Sequence, residues 1–439
     1  MTPAERETAR VRGYRGGEIR RTTLPGGLRV VTESMPDSRT FSVGFFVGVG
    51  SRHETDRLHG ASHFLEHVLF KGTPGRAAEE ISAAVESVGG DLNAYTTKEH
   101  TCFYARVLDV DAEMTVDVLT DMITASLIKS SDVQAERAVI LDEIAMHADD
   151  PAETVQELVA SHLFGSSGLG RPVIGSEKSI SGLSRRRIVD HWRRWYQPST
   201  MVVAAAGHVD HDRLVSQLAS LDALSGPAVP ATGTRPEPAR STSTTDDGRL
   251  LSVVRPLEQC SVVLALPAPA LFDDRRFPLG LLSTIIGGGM ASRLFVEVRE
   301  RRGLTYGIDA GDVAYTDAGQ WNVEWQCAPD KVAAITGVVR ETMAEVADYG
   351  VTEAELVRAK GQMLGQTVLA YESPSARMSR LGTAELVGDS RSISQILQRY
   401  DAVGLDEVRS EAALLFSQQP VLGVVGPRVR SRQLERLLQ

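Results

Sequence analysis

The stretch Ala61-Ser62-His63-Phe64-Leu65-Glu66-His67-Val68-Leu69-Phe70 decides how this chain is read. Leu58, Ala61, Phe64, Leu65, Val68 and Leu69 recur on a helical period, so the segment reads as a helix with one face set in a core. His63 and His67 are four positions apart on it, one turn above each other, close enough to share a tetrahedral metal ion. Glu66 lies beside them. In catalytic zinc sites a carboxylate that is not a ligand can take a proton from water, so this H-x-x-E-H spacing suits peptide hydrolysis. Two histidines hydrogen-bonded near a helix surface would use the same residues with no metal.

A catalytic zinc needs three protein ligands and one open position, and this helix supplies two. The third is sought in Asp132–His147, which has a helical pattern with Val133, Ile140 and Ile144 as its apolar stripe. Glu136 and Glu143 stand two turns apart on one face of it, and by this reading either reaches the metal.

At 439 residues the chain is too long for one ordinary domain. Its 42% hydrophobic and 24% charged content excludes wholesale disorder. A net charge of -10 argues against a dedicated nucleic-acid binder, and the densest basic run, Arg185 to Arg187, reads as a solvated helix start. No window approaches 18 uninterrupted apolar residues, and no apolar core follows the charges of the first ten, so no membrane partner and a cytoplasmic location are expected. Cys102, Cys260 and Cys327 are odd in number, widely separated and set in apolar runs, which reads as buried thiols.

Residues 1–20 read as a polar tail, and Thr22–Glu33 as two strand pieces around a Pro-Gly-Gly turn. Residues 226–248, rich in Pro, Ser and Thr, read as an exposed linker that divides the chain into 21–225 and 249–439. Met201–Gly207 closes the first half and Pro420–Gly426 the second, each a buried strand ending in glycine. Each half also opens with a strand followed by a helix. The expected fold class is therefore α+β, two homologous domains, each a mainly antiparallel sheet covered by helices.

With H-F-L-E-H at 63–67 and E-R-x-x-I-x-x-E-I at 136–144, the chain resembles the pitrilysin or insulinase family of zinc peptidases. Its length is similar to the mitochondrial processing peptidase branch, bacterial type. In that family the histidine–glutamate order is inverted relative to thermolysin-like enzymes. The resemblance implies one zinc per chain, held by His63, His67 and Glu143, with Glu66 as the base and Glu136 holding a ligand or water in place.

Phe70–Pro74, Gly89–Thr96 and Lys98–Cys102 also look like signatures of the family's first domain. There Asn93, Ala94 and Tyr95 would form a sheet edge that receives the substrate, because an extended peptide on an edge strand is held by main-chain hydrogen bonds. The segment Gly287–Gly307 resembles the one bearing the family's Arg and Tyr pair, here Arg299 and Tyr306, which would hold a substrate carbonyl and the developing oxyanion. Gly287 to Gly289 lack the G-K-[ST] of a phosphate loop and read as a flexible loop at a helix start.

The implied activity is a zinc endopeptidase acting on unfolded or extended peptides in an enclosed chamber. Relatives of this length form dimers, which would make Arg299 and Tyr306 act in trans within a homodimer. The competing expectation is a noncatalytic subunit of a larger complex; a hydrolase of non-peptide esters or amides is disfavoured by the edge-strand signature.

Overall fold

The computed structural model describes residues 6–12, 17–225 and 249–439. The linker read at 226–248 lies outside the described residues. Two compact units emerge. One gathers the described residues of Met1–Ile144, Pro172–Pro236 and Val368–Ser394; the other gathers those of Ala145–Arg171, Glu237–Thr367 and Gln395–Gln439.

The first unit holds a seven-stranded sheet in the order β1-β2-β3-β7-β4-β6-β5. Its strands are β1 (Arg6–Arg12), β2 (Glu18–Thr23), β3 (Arg29–Ser34), β4 (Thr40–Val47), β5 (Asp91–Thr96), β6 (Thr101–Leu108) and β7 (Met201–Gly207). The second unit holds β8 (Leu250–Val254), β9 (Cys260–Ala268), β10 (Ile308–Ala314), β11 (Gly319–Cys327) and β12 (Val421–Gly426), in the order β10-β11-β9-β12-β8.

The duplication expected from the sequence is visible strand by strand. β7 pairs parallel with β3 and antiparallel with β4, as β12 does with β8 and β9, and the other pairs are antiparallel. β7 and β12 are buried along their whole length, as continuous apolar runs must be when both faces of a sheet are covered.

On one face of the first sheet a large core includes α1 (Ala61–Leu69), α2 (Ala78–Glu86), α3 (Ala112–Ala125) and α4 (Ser130–Asp149). Helix Pro374–Val387 packs on the other face, where Met378 and Leu381 meet Phe46, Val202 and Ala204. A Cβ on Gly382 would lie 2.1 Å from the Phe46 ring, so this close approach requires glycine. In the second unit α5 (Pro151–Phe164) does the same with Val155, Val159 and Leu163 against Val263, Ala265 and Val425. Gly287 lets helix Arg276–Gly287 approach β10, since a Cβ there would meet the Ala310 nitrogen at 2.3 Å.

Three readings need correction. A single cut into 21–225 and 249–439 misses that α5 belongs with the second sheet and helix Pro374–Val387 with the first. An apolar helix stripe says that a partner exists, and carries no address. The expected polar tail over 1–20 contains β1 and the start of β2, paired antiparallel; an edge strand tolerates a polar sequence that leaves no alternating signal. Gly287 is the last residue of helix Arg276–Gly287, and Gly288 and Gly289 begin the turn that joins it to the next helical segment. The three cysteines are buried and free. Among the described residues no helix is long and apolar enough to cross a membrane.

A buried ion pair anchors helix Pro374–Val387 to its sheet. Arg377 Nη1 lies 2.7 Å from Glu33 Oε1, the Tyr371 hydroxyl donates to Glu33 Oε2 at 3.0 Å, and Arg377 Nε donates to the Tyr371 carbonyl at 2.7 Å. Glu33 has no exposed surface, so losing Arg377 strands a charge. Arg377→Ala is expected to cost about 3–5 kcal/mol. Urea denaturation reads this directly; an unchanged unfolding midpoint would deny the pair its anchoring role.

Candidate active site

α1 is built to hold its polar face still. Phe64, Leu65, Val68 and Leu69 are fully buried, and each contributes about 1.5–3 kcal/mol relative to exposure. No side chain of its own caps the helix start. The buried Glu54 carboxylate accepts from the Gly60 and Ser62 backbone N–H groups, both at 2.7 Å, placing negative charge at the positive end of the helix dipole. Ser62 Oγ also lies 3.1 Å from His191 Nε2, and burial above all, then the Arg194 and His53 charges, pushes His191 down to about 3. His63, Glu66 and His67 are left half-buried on the opposite side.

α4 meets this face. Val133, Glu136 and Ile140 are its buried residues. Arg137 lies over the Phe64 ring at 5.5 Å and donates to the Ile180 and Leu183 carbonyls. With the helices so fixed, His63, His67 and Glu143 each offer a ligand atom, all within 4.8 Å of one another. His63 Nε2 to Glu143 Oε1 is 3.8 Å and His67 Nε2 to Glu143 Oε2 is 3.6 Å. These separations are too long for hydrogen bonds. They suit a shared ion, because donors at 2.0–2.2 Å from a tetrahedral zinc stand about 3.4 Å apart. The two imidazoles are 4.7 Å apart between centroids, at 64°. One nitrogen from each imidazole and one carboxylate oxygen is a donor set that fits zinc with a position left open.

The two acidic candidates on α4 thus occupy different places. Glu143 faces both Nε2 atoms, while Glu136 Oε2 lies 3.0 Å from His67 Nδ1, the other side of the ring. Glu66 stands outside the donor triangle, its Oε2 accepting from Thr96 Oγ1 at 2.6 Å. Burial raises the Glu66 pKa, the Thr96 hydrogen bond and His67 lower it, Glu143 raises it, and the net direction is upward.

Thr96 ends β5, the edge strand of the first sheet and the strand that carries Asn93, Ala94 and Tyr95. The Ala94 N–H donates to Asn93 Oδ1 at 2.8 Å, so Asn93 occupies a main-chain donor of the edge strand. Ala94 packs with the α1 core, whereas Tyr95 packs on the opposite face with Tyr104 and Cys102. In the second unit Arg299 lies on the π-helical turn Phe295–Glu300, a form frequent at functional sites. Its guanidinium lies 4.7 Å from the Phe295 ring centre and 4.9 Å from that of Tyr306. Tyr306 is 88% exposed, too open for a packed core tyrosine. It borders a cavity of about 340 Å³ lined also by Gln156, Ser261, Asp309, Glu324 and Gln326.

Thr96 and Lys71, the latter 2.7 Å from Glu136, were not singled out by sequence reasoning. Both lie within stretches quoted above, and strand alternation puts Thr96 on the same face as Ala94.

A donor triangle with a separate carboxylate beside it is the working arrangement of a metallopeptidase. Known proteins agree. Residues 29–177 match the insulinase domain of peptidase family M16, and residues 182–363 the peptidase M16 inactive domain. The chain is 44% identical over 437 residues to an uncharacterized zinc protease of Streptomyces coelicolor, covering 97% of this chain and 94% of that one. It is 32% identical over 410 residues to an uncharacterized zinc protease of Bacillus subtilis, covering 93% and 98%. In fold it is similar to the crystal structure of a protease from Helicobacter pylori, with TM-score 0.88 at 19% identity, covering 94% and 100%. The chain belongs to the insulinase family of zinc metallopeptidases, peptidase family M16. It is a metalloprotease, and zinc is its cofactor.

Because the Thr96 hydrogen bond lowers the Glu66 pKa, Thr96→Val is expected to move the acid limb of the pH profile of kcat/KM upward. A pH-rate series on wild type and variant checks it; a shift downward would contradict the arrangement.

Proposed function

We propose that the protein is an endopeptidase that cleaves internal bonds of unfolded or extended peptides, with His63, His67 and Glu143 as zinc ligands and Glu66 as general base. The observation that carries this reading is the hydrogen bond from Thr96 to Glu66: the residue that holds the base belongs to the edge strand offered to substrate. One strand can then set the position of base and scissile bond together. Bound zinc would supply Lewis acidity, polarising the substrate carbonyl and lowering the pKa of water toward about 7.

The protein's own groups do the rest. An extended peptide adds to β5 by main-chain hydrogen bonds, Asn93 yielding the Ala94 N–H to it, so that recognition depends little on side chains. Glu66 takes the proton from the attacking water and returns it to the leaving amine. Glu136 holds His67 in the tautomer that presents Nε2 to the ligand site. Arg299 holds a substrate carbonyl and the Tyr306 hydroxyl donates to the developing oxyanion. The exposure of Tyr306 supports this, since a hydroxyl meant for substrate must be reachable. By length the enzyme falls in the processing peptidase-like branch, as a homodimer in which Arg299 and Tyr306 serve the metal site of the other copy.

Glu66→Gln is expected to keep one zinc per chain and to lose peptide cleavage by about 10²–10⁴-fold, the range for a general base. Metal analysis beside an assay with an unfolded polypeptide decides it, and retained cleavage removes Glu66 from its role. The trans arrangement is tested by mixing two inactive variants. Glu66→Gln with Arg299→Ala should regain activity in the heterodimer, where one site is complete; no recovery despite subunit exchange, shown by a tagged pull-down, rejects it.

A further inference from the structure

Building on the metal site proposed above, we infer that Lys71 is a positioning residue for zinc, acting through Glu136 on His67. Lys71 lies four residues after His67, one helical turn on, where the last turn of α1 closes with the Lys71 N–H donating to the Val68 carbonyl. Its Nζ is 2.7 Å from Glu136 Oε1. The other oxygen of that carboxylate, Oε2, is 3.0 Å from His67 Nδ1, and His67 Nε2 faces Glu143. The order from the metal site outward is therefore imidazole, carboxylate, ammonium.

The Glu136 side chain is only 7% exposed, so its carboxylate has given up most of its water and must be satisfied by protein groups. Among the described residues its two partners are His67 Nδ1 and Lys71 Nζ, one for each oxygen. A carboxylate held at one oxygen only can swing about that bond, and the imidazole it steers swings with it. Held at both, it fixes the ring plane and leaves Nε2 as the atom turned toward His63 and Glu143. Lys71 is 37% exposed, so the ammonium keeps part of its hydration and its cost of burial is small. Conserving its positive charge matters more than its shape, because it makes one contact.

The test is zinc affinity of the full-length apoprotein, measured by competition with a chromophoric chelator, and needs no peptide. Lys71→Met is expected to weaken zinc binding about 10–100-fold, the usual effect of losing a group that orients a ligand. Lys71→Arg should restore affinity to within about threefold of wild type, since it keeps a charged donor for the carboxylate. In a Glu136→Gln background Lys71→Met should add nothing, because the two residues act in series. Unchanged affinity in Lys71→Met, or its full loss persisting in the Glu136→Gln background, overturns the proposal. If Lys71→Met does not fold, as judged by circular dichroism, Lys71→Gln carries the same comparison. A wild-type chain that binds no zinc would instead overturn the metal site itself, so the two failures are told apart.

Discussion

Everything chemical in this protein depends on the packing of α1 against α4. A helix turns about 100° per residue, so a slip of one position on either would carry a donor out of reach. The slip is prevented by buried side chains under α1, by Val133 and Ile140 under α4, and by Arg137 lying across Phe64. Glu54 then fixes the start of α1 and the Glu136 carboxylate its end. The donor triangle is thus a by-product of a packed helix pair, which is what a precise arrangement of donors needs.

The duplicated architecture assigns different work to equivalent parts. Both sheets place a buried interior strand between a parallel and an antiparallel neighbour. Only the first unit carries the H-x-x-E-H helix, and residues 182–363, which include much of the second unit, match an inactive domain. The second unit presents Arg299 close to two aromatic rings and Tyr306 open to solvent. Each sheet is completed by a helix from the other half of the chain, α5 in one case and Pro374–Val387 in the other.

Period and spacing made much of this legible. The apolar repeat around His63 defined α1, the stripe Val133, Ile140, Ile144 defined α4, and the two buried strands ending in glycine announced the duplication. Residue spacing narrowed the third donor to Glu136 or Glu143 and could go no further, because both sit on one helix face; their separation comes from where α1 lies in space. Thr96 and Lys71 escaped for a related reason. A single hydrogen bond between elements leaves no period in either sequence, unlike a buried face. The polar edge strand β1 and the exchange of helices were illegible on the same grounds: one has a sequence without apolar alternation, and the other has a buried face with no indication of which sheet it meets.

X-ray absorption at the zinc edge of the intact protein tests the central claim most directly. The account predicts one zinc surrounded by two imidazole nitrogens and two oxygens, all at about 2.0–2.2 Å. A sulfur neighbour at about 2.3 Å, or a third imidazole, would contradict it.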